Sequence, residues 1–387
     1  MGHAKTANLK SICAGSSDRI SSLPQEIKGN ILSNLNVEEA VRASILSSSW
    51  RNAWTIMPEI HLCDSGFYPT DAFPTSSNAV RTFAQFKWMY MLSKKQADCI
   101  TIKLTSGRKY KIPSSLFRIS NLQYLRIKNC IVSLPRDFKG FKSLTVLNLK
   151  FFSSTDTDVN NLISSCPMLA ILCLKYFEGI NCLNIRAQVL EVLEVEGNFE
   201  ELHLHAPNLV DLVIDKTETH LVPVGSDKKS YLNQAFGSLT CMEVLHVSRP
   251  FLTYLSKGCM LTKLPGVFDR LEKICIESCL WNWTEVMAAC SLFQNAPILS
   301  ELVIWSLPSP EAFTRETIWD QDQTEIQKPS LYGLVTVTLD DFMGLNCEVA
   351  FLRLLLSWAP ALDEMKIRVP EDKLVHPALG RQTPSVQ

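Results

Sequence analysis

Four phrases of one design recur along the chain: CPMLAILCL at 166–174, APNLVDLVI at 206–214, APILSELVI at 296–304 and APALDEMKI at 359–367. In each, a proline marks a break and apolar residues follow at fixed steps. The last two apolar positions lie two apart, the period of a strand with one buried face rather than the three-to-four spacing of a helix. A strand this short cannot bury its face alone. Stacking many of them side by side builds one continuous core, so the phrases constrain the chain to a solenoid.

Relaxing the template to apolar-x-x-apolar-x-apolar recovers further copies, which begin at Leu122, Leu144, Leu169, Leu190, Leu209, Met242, Leu271, Leu299, Leu334 and Leu362, with separations of 19 to 35 residues. Two copies extend to a closing cysteine, Cys130 and Cys279. This is the leucine-rich-repeat pattern, whose terminal Asn or Cys turns the chain out of the strand. One loose copy arises by chance in any apolar chain; ten copies, four with the same proline entry, do not. The expected fold class is α/β: a short N-terminal three-helix unit, then an irregular leucine-rich-repeat solenoid with a curved, mainly parallel sheet.

Residues that alternate with the buried apolar ones point outward along that sheet, the usual docking surface of such arrays. They are Arg126, Lys128, Lys150 and Lys175 in the earlier repeats, then Glu194, Glu196, Asp211 and Asp215 in the next two. Adjacent strands lie about 5 Å apart, so like charges on neighbouring repeats reinforce one another. A face divided into basic and acidic halves is one reading; a solvated surface of mixed charge is the other. The divided face predicts a target whose capture weakens with salt.

Lys and Arg total 38 against 39 for Asp and Glu, so no bulk attraction to nucleic acid or to a membrane is expected. No run of about 18 apolar residues appears, and MGHAKTANLKSICAGSS lacks the apolar core of a signal peptide. The expected location is therefore the cytoplasm and/or nucleus. Thirteen cysteines raise the question of zinc or disulfides. The nearest pair, Cys275 and Cys279, has no partner pair at metal-site spacing, and disulfides are disfavoured inside the cell. The cysteines read as small buried hydrophobes or turn residues.

No phosphate-loop, zincin or nucleophile-elbow motif is present, so no catalytic residue is assigned and the chain reads as a non-enzyme. His203 and His205 would share one face of a strand, but two ligands make a poor site; no metal and no cofactor are expected. Met1-Gly2 with Thr6 fits the N-myristoylation pattern, with no polybasic stretch to support an anchor.

Residues 18–58 form a different unit. Ser22-Leu23-Pro24-Gln25 reads as a capped helix start, followed by Ile27, Ile31 and Leu35 on one face. Asn36, with Glu39 in the capping-box position, opens a second helix carrying Val37, Ala40, Val41 and Ile45. Trp50 and Trp54 lie one turn apart in a third, which ends at Pro58. Three short helices make too small a core to stand comfortably alone, so the unit should lean on a partner.

LPQEIKGNILSNLNVEEAVRASILSSSWRNAWTIMP resembles the F-box in its plant form: Leu-Pro, an Ile-Leu-x-x-Leu helix, Ala-Val-Arg-x-Ser-x-Leu-Ser, then Trp-Arg-x-x-Trp before a proline. The Cys-Pro-x-Leu and Ala-Pro-x-Leu phrases are similar to those of plant F-box/FBD/LRR-repeat proteins, and LVTVTLDDFMGLNCEVAFLRLLLSWAPALDEMKI at 334–367 resembles their C-terminal FBD segment. The organisation so implied is a flexible N-terminus at 1–17, an F-box at 18–58 and a connecting segment at 59–98 with a helix at about 80–93. Leucine-rich repeats follow at 99–333, FBD-like repeats at 334–370 and a flexible tail at 371–387.

The resemblance implies a substrate-recognition subunit of a Skp-cullin-F-box ubiquitin ligase. Leu23, Pro24, Ile27, Ile31, Leu35, Leu46 and Trp50 would meet a Skp-family adaptor, which links them to cullin and RING subunits, while the array holds an unknown target. Trp54 and Val41 would instead pack the unit itself. Two departures from the family bear on coupling: Asn36 stands where proline is usual, and Ser48 and Ser49 replace a common basic pair. A repeat scaffold without ligase coupling, or a ligand-sensing receptor, are the alternatives.

Overall fold

The computed structural model describes residues 19–35, 39–40, 42–43, 47–50, 53, 57, 59–63, 98–104, 108–215, 239–258, 268–307 and 331–370. The expected flexible ends and the helix at about 80–93 lie outside the described residues, as do 216–238 and 308–330 within the repeats.

The elements run α1 (Gln25–Leu32), β1 (Glu59–Cys63), β2 (Cys99–Lys103), β3 (Tyr110–Lys111), β4 (Tyr124–Ile131), β5 (Val146–Ser153), α2 (Asp156–Ser164), β6 (Ile171–Phe177), β7 (Cys182–Arg186), β8 (Val192–Gly197), β9 (Glu201–His205) and β10 (Asp211–Asp215). They continue with β11 (Val244–Val247), α3 (Arg249–Gly258), β12 (Lys273–Ser278), α4 (Trp283–Gln294), β13 (Glu301–Ser306), β14 (Thr336–Asp340), α5 (Asn346–Trp358) and β15 (Glu364–Ile367). Among the described residues thirteen strands form one sheet in the order β1-β2-β4-β5-β6-β8-β10-β11-β12-β13-β14-β15, with β3 beside β4. Every described pairing in it is parallel.

Each of the ten template copies precedes or enters one of these strands, and the register explains why. Leu125, Leu147, Leu172, Leu193, Leu212 and Leu245 stand side by side in successive strands, and Ile127, Leu149, Leu174, Val195, Ile214 and Val247 form the next column. All are nearly inaccessible. Burying each such side chain contributes about 1.5–3 kcal/mol, and only the stack makes that burial available. Among the described residues the connections after β5, β11, β12 and β14 carry α2, α3, α4 and α5, whereas those after β6 and β8 carry the short parallel ladder β7–β9.

Two sequence-based expectations need correction. The sheet begins at Glu59, inside the segment read as a connection, because Met57, Ile60 and Leu62 supply the same template one repeat earlier. Met57 packs with Leu32, Ala40 and Ala53 in the helical unit, while Ile60 already belongs to the sheet core. The first helix starts at Gln25 with Pro24 as its N-cap, and Ser22 Oγ donates to Arg19 O at 2.9 Å instead of capping it. The residue before a proline is kept out of helical geometry, so the helix cannot start before Pro24.

The turn cysteines Cys130 and Cys279 are buried as expected, and so is Cys290 inside α4. Burial pushes the Cys130 and Cys290 thiols from 9.0 up to about 12. The folded chain then holds protons that the unfolded chain releases. This contribution is fully present below pH 9 and is lost as pH rises toward about 12, at about 1.4 kcal/mol per unit per thiol. The urea midpoint is therefore expected to fall steeply from pH 9 to about 11, and Cys130→Ala with Cys290→Ala to flatten that fall. An unchanged slope in the double variant would contradict it.

Candidate functional site

On α1, Ile27 and Ile31 lie one turn apart and are 45% and 42% exposed. Pro24 is exposed beside them, and Ile20, which the sequence reading missed, is 61% exposed. Leu23 is half-buried. Leu35 and Trp50 pack on the Leu32, Ala40, Ala53 and Met57 cluster. Trp50 is further positioned by Lys28, whose nearly buried ammonium donates to Ser21 O at 2.7 Å and Ser49 O at 3.2 Å and sits 5.8 Å from the indole centroid. Gln25 Nε2 also donates to Ser49 O, at 3.1 Å. The Ser48–Trp50 turn is thus tied to α1 through a backbone carbonyl, which any residue at 49 supplies. Leu46, Asn36, Val41 and Trp54 lie outside the described residues.

The second face is the open side of the large sheet. Parallel register sets Lys103, Lys128, Lys150 and Lys175 side by side across β2, β4, β5 and β6. The same column continues as Glu196 and Asp215. Arg126 and Glu194 lie one outward position earlier on their strands, and Asp211 two. The halves meet at Lys175, whose ammonium lies 3.0 Å from Glu194 and 3.6 Å from Glu196. Cys173 Sγ also donates to Glu194, at 3.2 Å. Lys175 and Glu194 are therefore spent on each other, whereas Lys103, Lys128 and Lys150 have no ion-pair partner among the described residues.

Beyond the junction the carboxylates crowd. Burial, then the charge of Glu194, raises the Asp211 pKa above its ordinary value. Glu277 is raised by burial and by Asp215 and Glu196. His246, stacked 5.1 Å from Trp305, is lowered by burial despite these neighbours.

A third grouping lies on the β7–β9 ladder. Cys182 pairs with Glu201 and Asn184 with His203, so donor atoms of Cys182, Glu201 and His203 lie within 4.8 Å of one another. His203 thus meets Glu201 and Cys182 as candidate co-ligands, a grouping that sequence spacing could not reveal. Burial, then Glu201, raises the Cys182 thiol, so zinc must displace a proton the site retains. The purified chain is expected to hold less than one equivalent of zinc after dialysis against chelator. Stoichiometric zinc lost in Cys182→Ser would establish a site there instead.

No described helix is long and apolar enough to cross a membrane. A family model for the F-box domain matches residues 20–61, and one described as FBD-associated F-box protein At5g56370, LRR repeats, matches residues 87–229. The F-box/FBD/LRR-repeat protein At1g13570 of Arabidopsis thaliana is 29% identical over 381 residues, covering 91% of each chain. From the same plant, the F-box/LRR-repeat protein At5g02910 is 25% identical over 71% of this chain and 63% of its own length. The putative FBD-associated F-box protein At5g22720 is 26% identical over 62% and 58% respectively. The resemblance to plant F-box/FBD/LRR-repeat proteins holds for the F-box and for the repeats.

Proposed function

We propose that this chain, with its F-box-like N-terminus and its leucine-rich repeats, is the non-catalytic substrate-recognition subunit of a Skp-cullin-F-box ubiquitin ligase. The observation that carries the reading is the F-box match over 20–61 coinciding with exposed Ile27 and Ile31 on α1. Apolar side chains left uncovered on a short helix are what a partner buries. Residues 18–58, as a three-helix unit, dock on a Skp-family adaptor and through it on cullin and RING subunits. The open face of the sheet holds the target. The complex works in the cytoplasm and/or nucleus.

The test is co-expression with a recombinant Skp-family adaptor. A complex that stays together at equal stoichiometry in gel filtration supports the reading, and a folded chain that elutes without the adaptor overturns it. Proximity labelling in proteasome-inhibited cells then supplies target candidates.

A further inference from the structure

At the ends of β4, β5 and β6 the residue after the column lysine adopts left-handed backbone geometry: Asn129 at φ 64°, Phe151 at φ 54° and Tyr176 at φ 54°. Asparagine tolerates this region; for bulky residues it is a genuine outlier that costs about 1–2 kcal/mol. The rings so presented stack on each other at 4.5 Å, with 21° between their planes, and they are 42% and 41% exposed. Lys128 Nζ stands 5.3 Å from the Phe151 centroid. Two neighbouring repeats thus hold strained aromatic side chains at the surface, beside Lys103, Lys128 and Lys150, which form no ion pair among the described residues. The extra residue shifts the alternation by one and returns Cys130, Phe152 and Phe177 to the core, and it leaves Phe151 and Tyr176 as an exposed stacked pair beside the lysines.

We propose that the C-terminal edge of β2–β6 is a docking site for an extended acidic peptide segment of a protein that carries an aromatic side chain among its carboxylates. The inference rests on reading the open face as the target-capturing surface and names the chemistry of what is captured. Charge complementarity selects the class. Lys103, Lys128 and Lys150 span about 10 Å across three strands, the reach of about three extended residues. The Phe151–Tyr176 pair offers the apolar platform on which an aromatic side chain stacks. A nucleic acid fits less well: its continuous phosphate chain would run from these three lysines onto the paired Lys175 and then Glu196 and Asp215, whereas an acidic peptide can end at that boundary.

The test uses the full chain and fluorescence anisotropy at low ionic strength, with labelled Glu-Glu-Phe-Glu-Glu-Glu, labelled hexaglutamate and labelled oligothymidylate. The Phe-containing peptide is expected to bind more tightly than hexaglutamate by about two- to tenfold. Lys128→Glu with Lys150→Glu should weaken both peptides by more than about tenfold. Phe151→Gly with Tyr176→Gly should erase the preference for the aromatic peptide without lowering the melting temperature, because glycine accepts positive φ freely. Equal affinity of the parent chain for the two peptides overturns the proposal, as does a preference that survives the glycine pair. Tighter binding of oligothymidylate than of either peptide overturns it too, in favour of a nucleic-acid site. Adaptor capture, measured in the same preparations, does not involve these residues; its loss would count only against ligase coupling.

Discussion

Ile27→Ala combined with Ile31→Ala is expected to reduce affinity for a Skp-family adaptor by about a hundredfold or more while leaving the chain folded. Removing one buried anchor from an interface typically costs about 1–2 kcal/mol or more, and these two sit one turn apart on the same face. Both side chains are over two-fifths exposed in the chain alone, so the fold loses little when they are shortened. Alanine also favours a helix more than isoleucine does. Surface plasmon resonance against immobilised adaptor reads the affinity, and thermal melting reads the fold. Unchanged affinity in a folded double variant would move the adaptor contact off α1. Leu23 and Trp50 are poorer choices because both are half-buried, and shortening Trp50 also strips the packing from Lys28.

The largest stability loss is expected at Glu285, a fully buried carboxylate at the start of α4. It accepts from the Cys279 amide at 3.1 Å, Asn282 Nδ2 at 3.0 Å, Thr253 Oγ1 at 3.1 Å and Arg249 Nε at 3.4 Å. One side chain thereby ties the turn after β12, the cap of α4 and the neighbouring helix α3. Glu285→Ala leaves the buried Cys279 amide and the Asn282 amide without their acceptor and should cost about 3–5 kcal/mol. Glu285→Gln retains one acceptor oxygen and should cost less. Urea unfolding followed by circular dichroism would measure both. A loss below about 1 kcal/mol in the alanine variant would mean that water replaces the carboxylate. The device repeats at Glu348, which accepts from the Leu345 amide at 2.9 Å, the Met343 amide at 3.0 Å and Ser306 Oγ at 2.5 Å.

The period-two phrases were sufficient to place ten strands because the same residues that mark the pattern fill the core columns. The charge column was legible for the same reason: Lys128, Lys150 and Lys175 occupy one position of one template. Their pairing was not legible. Only the register shows Lys175 beside Glu194 and Glu196, which removes two of the expected contact residues from free solution. Phe151 and Tyr176 escaped notice because they lie two residues beyond the template's last apolar position, where alternation points them into the core and the left-handed geometry turns them outward instead. The Cys182–Glu201–His203 grouping depends on pairing across a strand that intervenes in sequence, β8, and no spacing rule reaches over it. On α1 the Ile27/Ile31 face followed from four-residue spacing, while Ile20 precedes the helix and falls outside that rule.

The passage from Met57, held in the helical cluster, to Ile60, held in the sheet core, takes three residues and spans at most about 10 Å. A joint this short bounds how far the two ends can part. On the proposed ligase reading, the captured protein would accordingly stay within a short reach of the ubiquitin donor, like work clamped close to a tool. Which of its lysines receives ubiquitin would then be decided by where each falls in that frame. Lengthening the joint with a Gly-Ser insert after Met57 would trade this selectivity for reach, and would read out as ubiquitin spread over more lysines with capture unchanged.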